Sequence, residues 1–437
     1  MSGISLALCI PTYERDEIVE DFLIKCSAYY IRAGIDIYYY DSSVSDKTKN
    51  VVCGWADQEH IHYVRLPSDL DGNTKAYRIF QGYELKKEYD FIWLSNDGLQ
   101  CKETAIAQLM SSLSLDYDIV EINHTDHEKI GNRVLTDPNE YLQMCAWHLG
   151  LFGAAILNRH TMLNGVDWAF YEEKFLTPTL ISWSHVSFYF YRILELERFC
   201  ALHLSVSGSQ ISESKLKKDI GWRDQMFSVV CERWVQTIMG LPDFYTNKES
   251  ACVKLGDLSL LREIEWFYHF RKKGFYSLKV YHKYHHVWSN VTSIPRAQLL
   301  VAACTPKSLI KLHEKIYKTM RLAKLRKFCK SHPRIMIYGT GGTGAIYDQY
   351  FKKEGLHYEA FCVSHRKPDK AEYLQHPVYE FDEIKHASKE IGYVFALVAI
   401  NVEDVLTIIG NSVDKSHIFY EPGLVKIIRR ENGYSGG

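Results

Sequence analysis

Two carboxylates at the ends of apolar runs are the residues best placed to do chemistry. Asp97 follows Phe91–Ser95 and precedes Gly98. A carboxylate there is a hard oxygen ligand, suited to Mg²⁺ or Mn²⁺ that also holds phosphate oxygens. Asp41 ends the run Ile35–Tyr40 and is followed by Ser42 and Ser43. It could accept hydrogen bonds from a nucleobase imide or a ribose hydroxyl. Between the two, DLDGNTKAYR (69–78) offers Gly72 for close backbone approach. It also offers Lys75 and Arg78 at the start of a helix, where cations and free amides favour a diphosphate. Either aspartate alone could be a turn former. A third run, Ile4–Asp16, carries Thr12 to a similar turn. Three strand ends in this order point to the edge of a parallel sheet where ligands bind.

The intervening sequence supplies that sheet. Ser5–Pro11, Ile35–Tyr40, His62–Leu66 and Phe91–Ser95 are apolar and β-rich. Glu17–Ala33 has apolar residues at helical spacing (Ile18, Phe22, Leu23, Cys26, Tyr29), and Gly34 stops it. Lys47–Asp57, Thr74–Lys87 and Lys102–Leu115 read as further helices, and Tyr117–Asn123 as a strand. Strand and helix alternate at short spacing, which predicts an α/β fold with a doubly wound sheet. The 30 tyrosines are expected mostly in strands and core, with sugar or base stacking as the alternative for individual rings.

These segments resemble family 2 glycosyltransferases with the GT-A fold. That family opens with a strand running into P-T-Y-N-R, here Pro11-Thr12-Tyr13-Glu14-Arg15. A second strand ends in Asp-Asp-Gly-Ser, here Asp41-Ser42-Ser43-Val44-Ser45-Asp46, and a third in a D-x-D-type motif, here Ser95-Asn96-Asp97. The likeness covers residues 4–205. It implies a nucleotide-diphosphate sugar as donor, bound by Pro11, Thr12, Tyr13, Arg15, Asp41, Lys75, Arg78 and Asn96. Thr12 and Asp41 would contact the base, Lys75 or Arg78 the phosphates. Asp97 would hold the Mn²⁺ or Mg²⁺ that bridges the diphosphate. Glu14 replaces the usual Asn, and Ser95 and Asn96 replace the upstream acids. The acceptor side would lie against His148–Asn158. Inverting members place an acidic base at the start of the next helix, to take the acceptor hydroxyl proton. The matching stretch here, Ile181–Phe188, has no carboxylate. His185 is the competent group there, since a neutral imidazole can act as a base. Asp167, Glu172 and Glu173 are alternatives, and the missing acid could also mean a retaining mechanism or weak activity.

Residues 209–330 change character. Asp219–Leu241 has a helical stripe (Trp222, Met226, Val229, Val230, Trp234, Ile238), and Leu258–Phe275, Tyr276–Trp288 and Ile294–Ala303 also read as helices. In Pro306–Lys330, nine cations (Lys307, Lys311, Lys315, Lys318, Arg321, Lys324, Arg326, Lys327, Lys330) face one acid, Glu314. Leu309, Leu312, Ile316, Met320 and Phe328 fall between them, giving a basic amphipathic helix. It suits peripheral attachment to anionic lipid, where a lipid-linked acceptor would be presented, or a solvated face joining two domains. No nucleic-acid recognition module is recognisable.

From Pro333 a second α/β unit begins. Arg334–Tyr338 turns through Gly339, Gly341 and Gly344 into the helix Ala345–Glu354, a complete G-x-G-x-x-G in strand–turn–helix context. Tyr358–Val363, Tyr393–Ile400 and His417–Tyr420 are further strands. The unit resembles the small Rossmann-like domains appended to polysaccharide-biosynthesis enzymes, including a G-x-P-V-[YF] style turn, here Gln375–Tyr379 with Gln for Gly. Such a domain could bind a nucleotide through Gly339, Gly341 and Gly344, or serve packing and oligomer assembly. An acid for the ribose hydroxyls is missing from the end of the second strand, where Arg366 could suit a phosphate.

Whole-chain properties bound the reading. The net charge of −1 is uninformative about partners. Eleven cysteines are scattered with no C-x-x-C and are expected as buried thiols of a cytosolic protein. No apolar run reaches membrane-spanning length, and the N-terminus lacks a basic region. The expected organisation is a GT-A domain over 1–208, a helical module over 209–330 and a Rossmann-like domain over 331–437. The expected activity is transfer of a sugar to a cell-surface glycan acceptor. It would occur in the cytoplasm, with peripheral contact at the inner membrane face. A non-catalytic sugar-nucleotide-binding protein is the alternative. A third reading is an NAD(P)-dependent oxidoreductase centred on Gly339–Gly344.

Overall fold

The computed structural model describes residues 3–424 apart from 56–58, 125–129, 207–208, 212–224, 365–370, 388–389, 398–404, 410–411 and 422. Arg366 and Trp222 lie outside the described residues. The chain divides into two compact units, Met1–Cys304 and Thr305–Gly437.

The first unit is built on an eight-stranded sheet with order β3-β2-β1-β4-β8-β6-β9-β7. The strands are β1 (Leu6–Thr12), β2 (Ile35–Asp41), β3 (Ile61–Arg65), β4 (Phe91–Leu94), β6 (Ile119–Asn123), β7 (Arg133–Leu135), β8 (Ala155–Asn158) and β9 (Ala201–Ser205). Strands β1 to β4 are parallel. β8 runs antiparallel to both β4 and β6, and β7 antiparallel to β9, so the sheet is mixed rather than wholly parallel. A two-stranded ribbon pairs β5 (Leu99–Cys101) with β10 (Ser209–Ile211).

Side chains alternate across this sheet, and both faces are buried. Leu6, Leu8, Ile10, Ile37 and Tyr39 pack on one face with Phe22, Leu23 and Ile106. These last come from α1 (Asp16–Arg32) and α4 (Glu103–Ser112). Ala7, Cys9, Tyr38 and Tyr40 face the other way. That layer holds α3 (Gly72–Gln81), α5 (Pro138–Leu149) and α7 (Ser184–Ile193). It continues without a break into Phe227, Trp234, Phe267, Tyr276 and Trp288. The helices of 226–304 therefore belong to the first unit, and the boundary between compact units falls at Cys304/Thr305 rather than at 208 and 330. Between Met226 and Met239 the helix carries a π segment, Val229–Trp234.

Helix ends follow local chemistry. α3 stops at Gln81, short of the expected Lys87, because Gly82 takes the left-handed conformation at φ 71°. α1 ends before Gly34, at φ 79°. Pro11 is accommodated in a central strand because β4 pairs with β1 only as far as Cys9. Its missing N–H falls where the ladder on that side has ended.

The second unit has a six-stranded sheet, β13-β14-β12-β11-β15-β16. Its strands are β11 (Arg334–Tyr338), β12 (Ala360–Val363), β13 (Glu372–Tyr373), β14 (His376–Glu380), β15 (Ile391–Phe395) and β16 (Ile418–Phe419). β11 is parallel to β12 and β15. The 25-residue helix Lys307–Ser331 places Leu322 and Leu325 in the core of this unit. Its earlier turns leave Leu309, Leu312, Ile316 and Met320 between 51% and 59% exposed. The β13–β14 turn holds Leu374 and Gln375 at φ 52° and 65°, so Gln375 occupies a left-handed position that glycine would take without strain.

The glycine turn after β11 has two packing demands and one open position. Gly339 lies at φ +117°, where a Cβ would press on the Ala396 carbonyl. A Cβ on Gly344 would fall 2.2 Å from the Gly339 carbonyl oxygen, whereas one on Gly341 meets nothing within 4 Å. Gly344→Ala should therefore destabilise this unit by about 3 kcal/mol through overpacking. Gly341→Ala meets no steric block and should cost only about 1 kcal/mol, the loss of a favourable N-cap. Urea unfolding of both variants checks the contrast.

Candidate functional site

Parallel register brings the sequence-predicted residues to one edge. Thr12 and Asp41 are direct partners at the C-terminal ends of β1 and β2. β4 ends beside them, and Ser95 continues its course by donating its amide to the Cys9 carbonyl at 2.9 Å. Asp97 then lies against β1. Thr12 Oγ1 donates to Asp97 Oδ2 at 3.4 Å, and Arg15 Nη1 to Asp97 Oδ1 at 3.2 Å. Thr12, Asp41, Lys75, Ser95 and Asp97 are all buried, a concentration of polar groups that a sheet edge does not need for packing.

Lys75 ties the helix layer to this edge. Its Nζ donates to the Thr12 carbonyl at 2.6 Å and lies 5.9 Å from the centre of the Tyr13 ring, within cation–π range. Burial pushes its pKa below the usual lysine value, against the attraction of Asp41, Asp97 and Asp71. Tyr13 itself is half exposed at the mouth of the edge.

Other expected contacts are engaged differently. Asp41 Oδ1 accepts from the Ser43 amide at 2.9 Å and from its hydroxyl. Oδ2 accepts from Tyr63 at 2.9 Å and Arg65 at 3.2 Å. These four donors match a carboxylate's capacity, so Asp41 holds the β2 turn in shape. Arg78 pairs with Glu84 at 2.7 Å, away from Lys75's contacts. The first amides of α3 are not free either. Asp71 caps them, accepting from Asn73 N at 2.7 Å and Thr74 N at 3.3 Å. Lys75 is thus the group through which α3 reaches the edge. Glu14 stands at φ 49°, a left-handed position where Asn is favoured. Its carboxylate accepts from the Ser45 amide at 2.8 Å, and the Ser45 hydroxyl and amide hold its pKa down.

A loop closes the far side. Asn96 Nδ2 donates to the Phe152 carbonyl at 2.6 Å, and its Oδ1 accepts from Gly98 N at 3.1 Å. Phe152 packs edge-on against His185, with ring centres 4.7 Å apart. His185 Nδ1 meets Asn73 Oδ1 at 3.3 Å. The sequence Asp97–Thr12–Lys75–Asn73–His185–Phe152–Asn96 is therefore a closed circuit of chain and side-chain contacts. Neighbouring Gly153, at φ +118°, needs glycine's freedom to let its carbonyl accept from Trp93 Nε1 at 2.9 Å.

His185 is 1% exposed. Its Nε2 is buried without a hydrogen-bond partner among the described residues. Burial lowers its pKa to about 4. Of the alternatives, Asp167 caps a helix through Phe170 N at 3.2 Å, and Glu172 accepts from Gln81 at 2.6 Å.

Three groups escaped the sequence reading. Arg65 braces Asp41 from β3. His124 follows β6 and meets the Gly153 carbonyl at 3.0 Å, and burial lowers its pKa to about 4. Glu121, Cys145, His148 and His203 gather inside the core. Burial raises the Glu121 pKa, but hydrogen bonds from His148 and His203 outweigh it and hold the group at about 2. Cys145-x-x-His148, one helical turn apart, was the available signal; the β6–β9 register that adds Glu121 and His203 was not. A separate open groove of about 720 Å³, lined by Asp116, Thr136, Ile193, Leu196, Arg198 and Phe244, lies toward the N-terminal ends of β6 and β9, opposite the Asp97 edge.

No protein-family model matches the chain, and no curated protein matches it. Among solved structures it is similar to glucosyl-3-phosphoglycerate synthase from Mycobacterium tuberculosis in complex with Mn²⁺ and UDP-glucose. The identity is 11% over 55% of this chain and 81% of that one, with a TM-score of 0.36. The same enzyme with Mg²⁺ and UDP matches at 10% identity over 55% and 82%, with a TM-score of 0.34. A mycobacterial protein matches at 9% over 56% and 77%, with a TM-score of 0.33. Likeness this weak assigns neither family nor substrate.

The buried imidazole carries a pH signature. In the unfolded chain His185 takes a proton near its ordinary 6.5, but in the folded chain only near about 4. Its contribution is intact above pH 6.5 and is lost as pH falls toward 4, by about 3 kcal/mol at most. His185→Gln should show a correspondingly shallower loss of stability between pH 7 and 4.5 by denaturant titration. A parallel slope in both proteins contradicts the assignment.

Proposed function

We propose that the first unit is a glycosyltransferase that uses a nucleotide-diphosphate sugar and transfers the sugar to a cell-surface glycan acceptor, on a GT-A-type sheet. The observation that carries this reading is the buried polar edge: Asp97, Thr12, Lys75 and Arg15 converge where β1, β2 and β4 end. A buried ammonium whose described hydrogen bond goes to a carbonyl is suited to an incoming diphosphate. Tyr13 offers a ring for the base. Asp97 would hold a divalent cation together with phosphate oxygens. A single carboxylate suffices for Mg²⁺ bound in this way, and Arg15 would move off Asp97 to meet the phosphates. Bound there, the cation would neutralise charge on the leaving diphosphate. Asn96 shapes the turn instead of ligating. His185 would be the base, neutral at physiological pH and needing the acceptor to reach it.

A second reading is a sugar-nucleotide-binding protein without transferase activity. The burial of His185 and the absence of a carboxylate at the start of α7 favour it. In the second unit, open space at Gly341 leaves room for a nucleotide at the glycine turn, in a regulatory or assembly role. An oxidoreductase draws no added support, because the described end of β12 (Val363, Ser364) is not acidic.

A panel of sugar nucleotides with Mn²⁺, read by calorimetry and by release of free nucleotide, separates the two readings. Donor binding with turnover supports the transferase; binding without turnover supports the second reading. Asp97→Asn should cost about 100-fold in kcat/KM, and Arg78→Gln less than about twofold. Failure of every donor to bind removes both readings.

We also infer peripheral attachment through the Lys307–Ser331 helix. No described helix is long and apolar enough to cross a membrane. Leu309, Leu312, Ile316 and Met320 recur at spacings of three and four between lysines, which fits the interface of an anionic bilayer. Vesicles containing phosphatidylserine should co-sediment the protein at low salt, and Leu312→Glu with Ile316→Glu should release it. A dimer that ignores vesicles would assign the stripe to a second copy instead.

A further inference from the structure

Away from the strand edge, four side chains of metal-ligand type meet inside the first unit. Glu121 and His203 are direct partners across β6 and β9. Cys145 and His148 lie one turn apart on the same face of α5. All four are at most 3% exposed, in a layer otherwise filled by Tyr141, Leu142, Ala146 and Leu149. Cys145 Sγ lies 3.8 Å from both Glu121 Oε2 and His203 Nδ1. The ligand atoms of Glu121, Cys145 and His203 fall within 4.8 Å of one another. His148 Nδ1 holds the other carboxylate oxygen, Oε1, at 2.8 Å.

Packing does not call for this cluster. Burying a carboxylate, a thiol and two imidazoles together in an apolar layer is costly. The spacing suits a tetrahedral ion. With metal–sulfur near 2.3 Å and metal–nitrogen near 2.05 Å, sulfur and nitrogen ligands stand about 3.6 Å apart. The observed sulfur distances come close to that edge length. The Glu121–His203 contact is tighter and would open to admit the ion.

We propose that Glu121, Cys145 and His203 bind a divalent transition-metal ion of zinc type, with His148 bracing the carboxylate. The ligand set is one thiolate, one carboxylate and one neutral imidazole, so the two anionic charges balance the ion. Binding releases the Cys145 thiol proton to solvent, and His203 keeps its remaining proton on Nε2. No redox change is involved. The ion would lock α5 onto β6 and β9, and it uses none of the residues assigned to the donor.

The test is metal analysis of the full chain purified without chelator, followed by Co²⁺ titration of stripped protein. Wild type and Asp97→Asn should each carry one ion per chain, with a thiolate-to-Co²⁺ absorption band. Cys145→Ser should lose the band, His203→Gln should weaken binding at least tenfold, and the exposed-cysteine control Cys53→Ser should keep both. If the core variants do not fold, X-ray absorption of the wild-type zinc protein decides. One sulfur scatterer at about 2.3 Å with nitrogen or oxygen at about 2.0–2.1 Å supports the site. A wild-type chain that takes up no ion, an ion with no sulfur ligand, or a Co²⁺ band abolished by Asp97→Asn overturns it.

Discussion

The hydrogen bond from Lys75 to the Thr12 carbonyl is the contact on which the candidate site depends. It fixes the first turn of α3 against the last residue of β1, next to Asp97. An ammonium this deeply buried carries a desolvation cost, seen in its lowered pKa. One carbonyl and the more distant fields of Asp41, Asp97 and Asp71 offset only part of that. The contact also positions its neighbours on the helix. Asn73, two residues earlier on the same helix, reaches His185, and α3 is held to α7 by Tyr77 donating to the Ser184 carbonyl at 3.2 Å and by Phe80 stacking on Phe188.

The sheet supplies the rest by register alone. β1 pairs β2 along its whole length, so Thr12 meets Asp41; it pairs β4 only to Cys9, so Asp97 is free to turn in over Thr12. A slip of one residue would reverse which face each side chain occupies. Strict alternation between the two core layers, with Tyr38 and Tyr40 on one side and Tyr39 on the other, makes such a slip expensive. Asp41 is engaged by Ser43, Tyr63 and Arg65, whereas Asp97 lies against Thr12 and Arg15.

Much of this was legible in the chain. Apolar runs ending in Thr12, Asp41 and Asp97 locate the edge because a parallel sheet gathers its strand ends, and Gly34 marks the end of α1 through backbone chemistry. What sequence could not supply was pairing. Asp41 looked like a nucleoside acceptor because Tyr63 and Arg65, one strand away, are invisible as its partners. Arg78 looked like a phosphate ligand because Glu84 lies past a glycine stop at Gly82 that the apolar pattern overran. The helices of 226–304 read as a separate module because their stripe is self-consistent; only contact reveals that it shares a core with Tyr77 and Phe188. His185 was picked out by its position in the chain, which gave no sign of its burial or of its contact with Phe152 from a distant loop.

If the buried edge of β1, β2 and β4 receives the diphosphate of a nucleotide sugar, a bound donor should be visible there. A crystal structure of the full chain with a nucleotide-diphosphate sugar and Mn²⁺ tests it most directly. Diphosphate density is expected against Lys75 and Arg15, with the cation on Asp97 and the base near Tyr13. Ligand bound at the Gly339–Gly344 turn with the strand edge empty would contradict it.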